Sequence, residues 1–366
     1  MSGLQWTGVD LLTGQIVADL PGIEVTGQLP VTIGQYGTAQ LVLHLDDTTD
    51  PSWLEATQPG GAALIAWMGA PAYPVIYWGG IVQQRVRSTS TDVQMQVVTP
   101  EAYLDACNVG DYTATDLNQD TILESLMAFA GGSQRPPVDL NHLTASTQTQ
   151  SVTYTVSSQM KVLAALQALS GVVGGPEWTM DWVWDLDAGT ILPRMNYGAR
   201  VGTAVTAGMS PSVTFELADL LPNSAFTEDY SPGQGANDIT AFGAANPAAT
   251  TADVPMAEAT SIDLKGRPLW SYTYQPNQTV SDSAVLATYA EAALQQMQDG
   301  AQPLTLTVRN NLVGKQFGVD WFLGDDIGWL LDGPAFPLPV SGVSRCIGYT
   351  LDNTTITPIL QGVSLG

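Results

Sequence analysis

Basic residues are scarce in this sequence: its 366 residues hold 11 Lys and Arg against 35 Asp and Glu, and none precedes Arg85. A formal net charge of −24 repels polyanions, which argues against a phosphate-binding surface, sequence-specific nucleic-acid binding and docking on anionic membranes. Charge of either sign is thin at 13%, about half the usual share, so polar surface must come from Thr, Ser, Gln, Asn and Gly. Exposed helices are normally surfaced by Glu and Lys, whereas Thr and Gln tolerate a pleated surface. The deficit therefore favours strands.

Cysteine and histidine are nearly missing as well. Cys107 and Cys346 stand far apart in a chain whose start, Met1-Ser-Gly-Leu-Gln-Trp, has no basic residues ahead of an apolar run. No secretory signal is read there and the mature chain is expected to begin at Met1; two small buried thiols are expected rather than a disulfide framework. The histidines are His44, within a strand, and His142, in a polar loop. A zinc hydrolase needs imidazoles at helical spacing with a carboxylate, so no zinc site assembles locally. Long apolar runs are absent too: the stretch from 162 to 176 is interrupted by Gln167, Ser170 and Gly171 and falls short of a bilayer span, so no membrane segment is expected.

What is present is a 45% hydrophobic chain with 36 Gly and 23 Pro, long enough for two or three domains. Residues 1–100 read as strands: Ile16-Val-Ala, Ile23-Glu-Val-Thr, Ala39-Gln-Leu-Val-Leu-His-Leu and Ala62-Ala-Leu-Ile-Ala-Trp are short apolar runs parted by Gly, Pro and Asp. In Val93-Gln-Met-Gln-Val the apolar residues alternate with glutamines, as a half-buried strand requires. Antiparallel strands of this kind close into barrels or sandwiches, which blunts their edges.

From about 101 the pattern changes. Asp116 is expected to cap a helix, with Gln119 three residues on, an apolar stripe of Ile122, Leu123, Leu126 and Met127, and Gly131 as its stop. A second helix is expected from near Ser157, with Met160, Leu163, Leu166 and Leu169 inward and Gly171 left-handed at its end. Glu177 to Tyr197 reads as a hairpin turning at Asp185-Leu-Asp-Ala-Gly. Strands return at Ser212-Val-Thr-Phe-Glu-Leu and Asp238-Ile-Thr-Ala-Phe-Gly, and Ala244 to Val254 reads as a loop. A third helix is expected with Ser281 as N-cap, a buried face of Val285, Leu286, Tyr289, Ala293 and Met297, and Gly300 as terminator. From Gln302 the chain is strands again.

The sequence is thus read as mainly β with an α+β insertion: two antiparallel β-barrel-like domains plus a mixed α/β domain. The expected boundaries are 1–100 for the first barrel, 101–210 with 244–301 for the mixed domain, and 211–243 with 302–366 for the second barrel. A faint internal echo accompanies this division. Gly80-Ile-Val-Gln-Gln-Arg followed by Asp92 to Pro100 parallels Gly342-Val-Ser-Arg followed by Leu351-Asp-Asn and Thr354 to Pro358, and a Trp-bearing strand precedes each (62–67 and 326–331). If the echo is real, one barrel is used twice.

Candidate chemistry is sparse. Gly362-Val-Ser-Leu-Gly366 matches a nucleophile elbow, yet no helix, Asp or His can follow it. Asp185-Leu-Asp-Ala-Gly begins like a calcium loop but lacks the further ligands, and Gly233-Gln-Gly-Ala-Asn-Asp lacks the third glycine and the βαβ setting of a dinucleotide site. Glu177, Asp181 and Asp185 flank a strand that puts Trp178, Met180, Trp182 and Trp184 on one face, which reads either as a sugar-stacking platform or as a hydrophobic seam. Gly324-Asp-Asp reads as a turn into a buried strand. Trp53, Trp67, Trp270 and Trp321 fit an interface and a core equally well. No catalytic, cofactor-binding or metal-binding residue is assigned, and no cofactor is expected.

The segment Asp10-Leu-Leu-Thr-Gly-Gln-Ile-Val-Ala-Asp-Leu-Pro, with Gly34-Gln-Tyr-Gly-Thr-Ala-Gln-Leu after it, resembles the start of minor tail proteins of long-tailed actinobacterial phages. The order of elements resembles their tail-hub or baseplate-hub family over most of the chain. The resemblance implies a non-enzymatic virion protein at the tail tip, assembled in the host cytoplasm. It implies a homotrimer whose two barrels per subunit match a sixfold tube, with a distal-tail or tail-tube protein, a tape-measure protein and tip or fibre proteins as partners. Some hub-like proteins carry an enzymatic extension; this chain is expected to end with its last barrel strand. A distal-tail ring, a carbohydrate receptor binder and, further off, a glycan hydrolase remain as alternatives.

Overall fold

The computed structural model describes residues 4–70, 72–89, 91–172, 174–206, 208–243, 256–264, 266–275 and 282–365. The chain is mainly β and divides into two compact units, residues 1–223 with 306–366 and residues 224–305.

The first unit opens with β1 (Gln5–Asp10), β2 (Ile16–Asp19), β3 (Ile23–Val25), β4 (Leu29–Thr32), β5 (Thr38–His44), a single helical turn α1 (Trp53–Ala56), β6 (Ala62–Ala70), β7 (Tyr73–Arg87) and β8 (Asp92–Val98). Seven of these strands make an antiparallel sheet in the order β2-β1-β6-β7-β8-β5-β3. Alternation sets the register: Val93, Met95 and Val97 of β8 lie opposite Leu43, Leu41 and Ala39 of β5, and all six are buried. A one-residue slip would turn every one of them outward. The strand missing from this sheet is β4, which pairs elsewhere.

Next come α2 (Glu101–Ala106), β9 (Tyr112–Asn118), α3 (Gln119–Ala128), β10 (Asp139–His142), β11 (Thr149–Tyr154), α4 (Val162–Ser170), β12 (Glu177–Asp185) and β13 (Thr190–Gly198). The expected stripe of α3 is buried. Its cap is Asn118, whose side chain accepts the Asp120 N–H, and not Asp116, which sits inside β9 with φ 47°. Helix α4 buries Leu163, Leu166 and Leu169, but Gly171 is right-handed with φ −73°; the left-handed glycine is Gly174. Strands β12 and β13 form the expected hairpin, closed where the Asp185 carboxylate accepts the N–H groups of Asp187 and Ala188.

Strands resume at β14 (Thr214–Glu216). The second unit follows with β15 (Ala225–Phe226), β16 (Asp238–Phe242), β17 (Met256–Thr260), β18 (Ser271–Tyr274), α5 (Ser283–Met297) and β19 (Leu304–Thr305). Its three-stranded sheet, β17-β16-β18, packs Ile239 and Ala241 against Leu286, Ala290 and Leu294 of α5. This helix shares its core with Asp238–Phe242 and not with α3 and α4, a grouping that differs from the expected division at 243/244. Two further expectations fail here: Val285 and Tyr289 are exposed, and Asp282 caps α5 by accepting from Ala284 and Val285. Ser281 and the stretch from Ala244 to Val254 lie outside the described residues.

The first unit is completed by β20 (Val308–Arg309), β21 (Asp326–Gly333), β22 (Phe336–Leu351) and β23 (Thr355–Leu365). They form a second sheet in the order β14-β21-β22-β23-β20, in which only β14 runs parallel to its neighbour. Both sheets are therefore built on an antiparallel meander with a long middle strand, β6-β7-β8 and β21-β22-β23, which are the segments that carry the sequence echo. The absent β4 completes the second sheet: Leu29–Thr32 pairs antiparallel with Gly348–Leu351 of β22.

Candidate functional site

The junction of the two sheets with the α/β insertion gathers most of the functional-looking side chains. The stripe on β12 is split between two cores. Trp178 and Met180 pack on Leu104, Leu166 and the other helix residues, while Trp182 lies against Val9, Ala63, Ile65 and Ile81 of the first sheet. Trp178 and Trp182 are buried, so most of this face is a hydrophobic seam, while Trp184 is half-buried. Trp67 and Trp321 are core residues too, whereas Trp270 is exposed and Trp53 lies under the Arg85 guanidinium.

The acids singled out in the sequence are all engaged. Glu177 takes Arg345 by both oxygens and also accepts the Val201 N–H. Burial alone would raise the Glu177 carboxyl, but Arg345 and the Val201 N–H hold it below its ordinary value. Asp181 accepts from Arg194 and Asn196. Asp325 accepts the N–H groups of Thr203 and Phe322, and Asp326 takes Arg200 and the Val205 N–H. Gly324-Asp-Asp is thus a clasp for residues 200–205. Its closeness demands glycine: a Cβ on Gly202, at φ +79°, would lie 2.0 Å from the Gly324 carbonyl carbon.

Sequence reasoning missed how the two sheets are tied together. The Tyr349 hydroxyl donates to the Tyr77 carbonyl at 2.7 Å, and the Tyr77 hydroxyl donates to the Asn310 carbonyl at 3.0 Å. Phe317 packs its ring on both tyrosines. Glu101, straight after Pro100, is also buried; its Oε1 accepts the Met180 N–H while Oε2 has no partner. Desolvation carries this carboxyl from 4.5 up to about 7, against the pull of hydrogen bonds from Thr99 and Met180. The Pro100-Glu101 step, which puts an acid at the start of a helix right after a buried strand, is the one signal that could have flagged it.

A cleft of about 720 Å³ opens beside this junction, lined by Tyr73, Ile76, Trp182, Trp184, Arg194 and Phe322 among others. Its wall offers aromatic surface and the Asp181–Arg194 pair, whose members satisfy each other. The carboxylates lining it are Asp181 and Asp325, both committed to the bonds above. Such a wall gives an apolar side chain aromatic surface to pack on.

The histidines and cysteines are likewise engaged or buried. His44 bridges Glu24 and Asp92 at 2.9 and 2.8 Å, and His142 lies 3.0 Å from Asp120 and stacks on Tyr197. Cys107 and Cys346 are buried free thiols. Gly362–Leu365 belong to β23, and among the described residues no cluster of His, Cys, Asp or Glu could hold a metal. Among them, too, no helix is long and apolar enough to cross a membrane.

The fold is similar to that of a solved prophage tail protein and of a chain of a PdpA–VgrG complex. The 43 kDa tail protein of prophage MuSo2 from Shewanella oneidensis aligns over 98% of this chain and 98% of its own, at 13% identity and a TM-score of 0.52. A chain of the half-lidded Francisella PdpA–VgrG complex aligns over 99% of this chain and 59% of its own, at 9% identity and a TM-score of 0.51. The tail protein of Neisseria meningitidis MC58 covers 98% and 96% at 13% identity, with a TM-score of 0.47. No family model matches the sequence, and no curated protein matches it.

Proposed function

We propose that the chain is the hub of a long phage tail: a homotrimer at the distal end of the tail tube that joins a sixfold tube to threefold tip or fibre proteins and forms part of the DNA channel. The observation that carries this reading is the doubled meander. A threefold ring can dock on a sixfold one when each subunit repeats its docking surface in quasi-equivalent form, and the like strand order of β6-β7-β8 and β21-β22-β23 within one chain is consistent with such a repeat. The seven-stranded sheet within residues 1–100, and the sheet of β14 and β20 to β23 completed by β4, stand for the two barrels of this scheme. The likeness to phage tail proteins supports it.

The charge pattern supports a channel role. Four of the 11 cations, Arg194, Arg200, Lys315 and Arg345, are each paired with a carboxylate, which leaves the acids in large excess. An acidic lumen would let DNA slide without sticking. The role is structural, with no hydrolysis of its own. The distal-tail or tube protein, the tape-measure protein and the tip proteins are the partners in this scheme.

Native mass spectrometry of the purified chain tests the reading: three copies are expected, and a monomer or a hexamer rejects it. Release of soluble fragments from purified cell walls would reject the non-enzymatic role.

A further inference from the structure

His44 is the one side chain in residues 1–84 that can carry a positive charge at ordinary pH: no Lys or Arg precedes Arg85, and the other histidine is His142. It ends β5, directly opposite Asp92 of β8 and diagonal to Glu24 of β3. Both of its ring nitrogens face carboxylates, Nδ1 at 2.8 Å from Asp92 Oδ1 and Nε2 at 2.9 Å from Glu24 Oε2. A neutral imidazole has one N–H and one lone pair. In either neutral tautomer, therefore, one of the two contacts would set a lone pair against a carboxylate oxygen. Only the doubly protonated ring donates to both.

The ring stands where the sheet has little else to hold it. Strand β3 is three residues long and forms an edge of the seven-stranded sheet, paired with β5. The two backbones are close at His44: its N–H donates to the Gly22 carbonyl at 3.0 Å, and a Cβ on Gly22 would lie 2.6 Å from the His44 carbonyl oxygen. A charged ring thus draws the edge strand and β8 together across β5. The titratable groups that act on the ring are Glu24 from β3 and Asp92 from β8. The hydrogen bond to Glu24, then that to Asp92, raises the imidazole above its ordinary 6.5, against a smaller opposing effect of desolvation. Because the folded value is the higher one, the double contact is fully present below about 6.5 and is lost as pH rises through the folded value.

We propose that His44 is a pH-sensitive fastener of the β3 edge: as an imidazolium it holds Glu24 and Asp92 together across β5, and on losing a proton to solvent it lets one carboxylate go and loosens β3. The backbone edge of β5 beneath β3 is then bared more often. An open edge is a template for strand pairing, so the sheet is closed in mild acid and more open in mild alkali, with histidine the side chain suited to that range. The fastener acts within one chain and does not depend on the hub reading.

Two readouts test it in the full chain. Carbon-13-labelled histidine gives two imidazole signals, one for each histidine, and His44→Gln identifies the signal of His44 by its loss. Its titration is expected to centre above 6.5 and to move down in Glu24→Gln and in Asp92→Asn. A midpoint at or below 6.5, or one that neither variant moves, overturns the fastener. The second readout is hydrogen exchange of the β3 segment, corrected for the intrinsic pH dependence of exchange. It includes the Thr26 amide, which donates to the Gln40 carbonyl. Protection there is expected to fall about two- to fivefold as pH rises through the His44 midpoint, the size of effect that exposed ion pairs have. It is expected to be low at every pH in His44→Gln and high at every pH in His44→Arg, whose guanidinium keeps its charge and its donors throughout. Equal protection on both sides of the midpoint overturns the fastener. So does a pH step that survives in His44→Arg, since it would belong to another group.

Discussion

Arg345 and Glu177 meet end on: Nη1 of the guanidinium donates to Oε1 at 2.6 Å and Nη2 donates to Oε2. The same guanidinium also donates to the carbonyls of Val201 and Gly324, so one side chain on β22 ties the α/β hairpin to the segment after it. Arg345→Ala is expected to lower stability by about 2–4 kcal/mol, because it strands a partly buried carboxylate. Arg345→Lys should recover little of this, since an ammonium cannot present the planar fork. Urea unfolding of the two variants decides it, and a lysine variant as stable as the parent would remove the geometric argument.

The pH dependence carries two opposed signatures. Glu177 is held below its ordinary 4.5, so its contribution is fully present above that pH and is lost as pH falls through the lower folded value. Glu101 is raised from 4.5 to about 7, so the folded state holds its proton longer than the unfolded one, and this site loses stability as pH rises from about 4.5 to 7. Glu101→Gln keeps an oxygen acceptor for the Met180 N–H and removes the buried charge. It is expected to stabilise the protein at pH 8 by ~2–3 kcal/mol and to flatten the slope between pH 5 and 7. Thermal melts of both proteins across that range test it; parallel pH profiles would count against the buried-acid account.

Gly79 on β7 is where the first sheet receives the α/β hairpin. A Cβ there would lie 2.5 Å from the Trp182 ring and 2.8 Å from Ile65 Cδ1. Gly79→Ala is expected to cost about 1–3 kcal/mol by overpacking, and Trp182→Phe in the same chain should return part of that loss. A double-mutant cycle measures the coupling, and strict additivity would show that the two residues do not share the space.

The sheets are joined by β4 and by the Tyr77–Tyr349 bonds, which predicts that they unfold together. Fluorescence and far-ultraviolet circular dichroism should report one coincident urea transition for the unit that holds both sheets, as a two-state unit requires. Tyr349→Phe frees the buried Tyr77 carbonyl and should cost about 1–2 kcal/mol. Separate transitions for the two sheets would contradict the shared-strand architecture.

Much of this was legible locally. The alternation in 93–97, the stripe of α3 and the hairpin over 177–197 each follow from a period that the residues state plainly. The face of α5 was misread by one position because Ala fills most of its sides, so Val285 and Tyr289 mark a stripe as convincingly as Leu286 and Leu294 do. The cap of α3 was misplaced because Asp116 and Asn118 both suit a cap. The Glu177–Arg345 clasp and the transfer of β4 join residues 168 and more than 300 positions apart, and no local pattern encodes a partner at that distance.

The placement of β4 bears on how the protein is made. Leu29–Thr32 is translated long before its seat on β22, which exists only once residues 348–351 have been synthesised. This stretch waits, without its β22 partner, while more than 300 further residues are translated, and a ribosome that stops short of β22 leaves a product with a loose strand open to pairing with other chains.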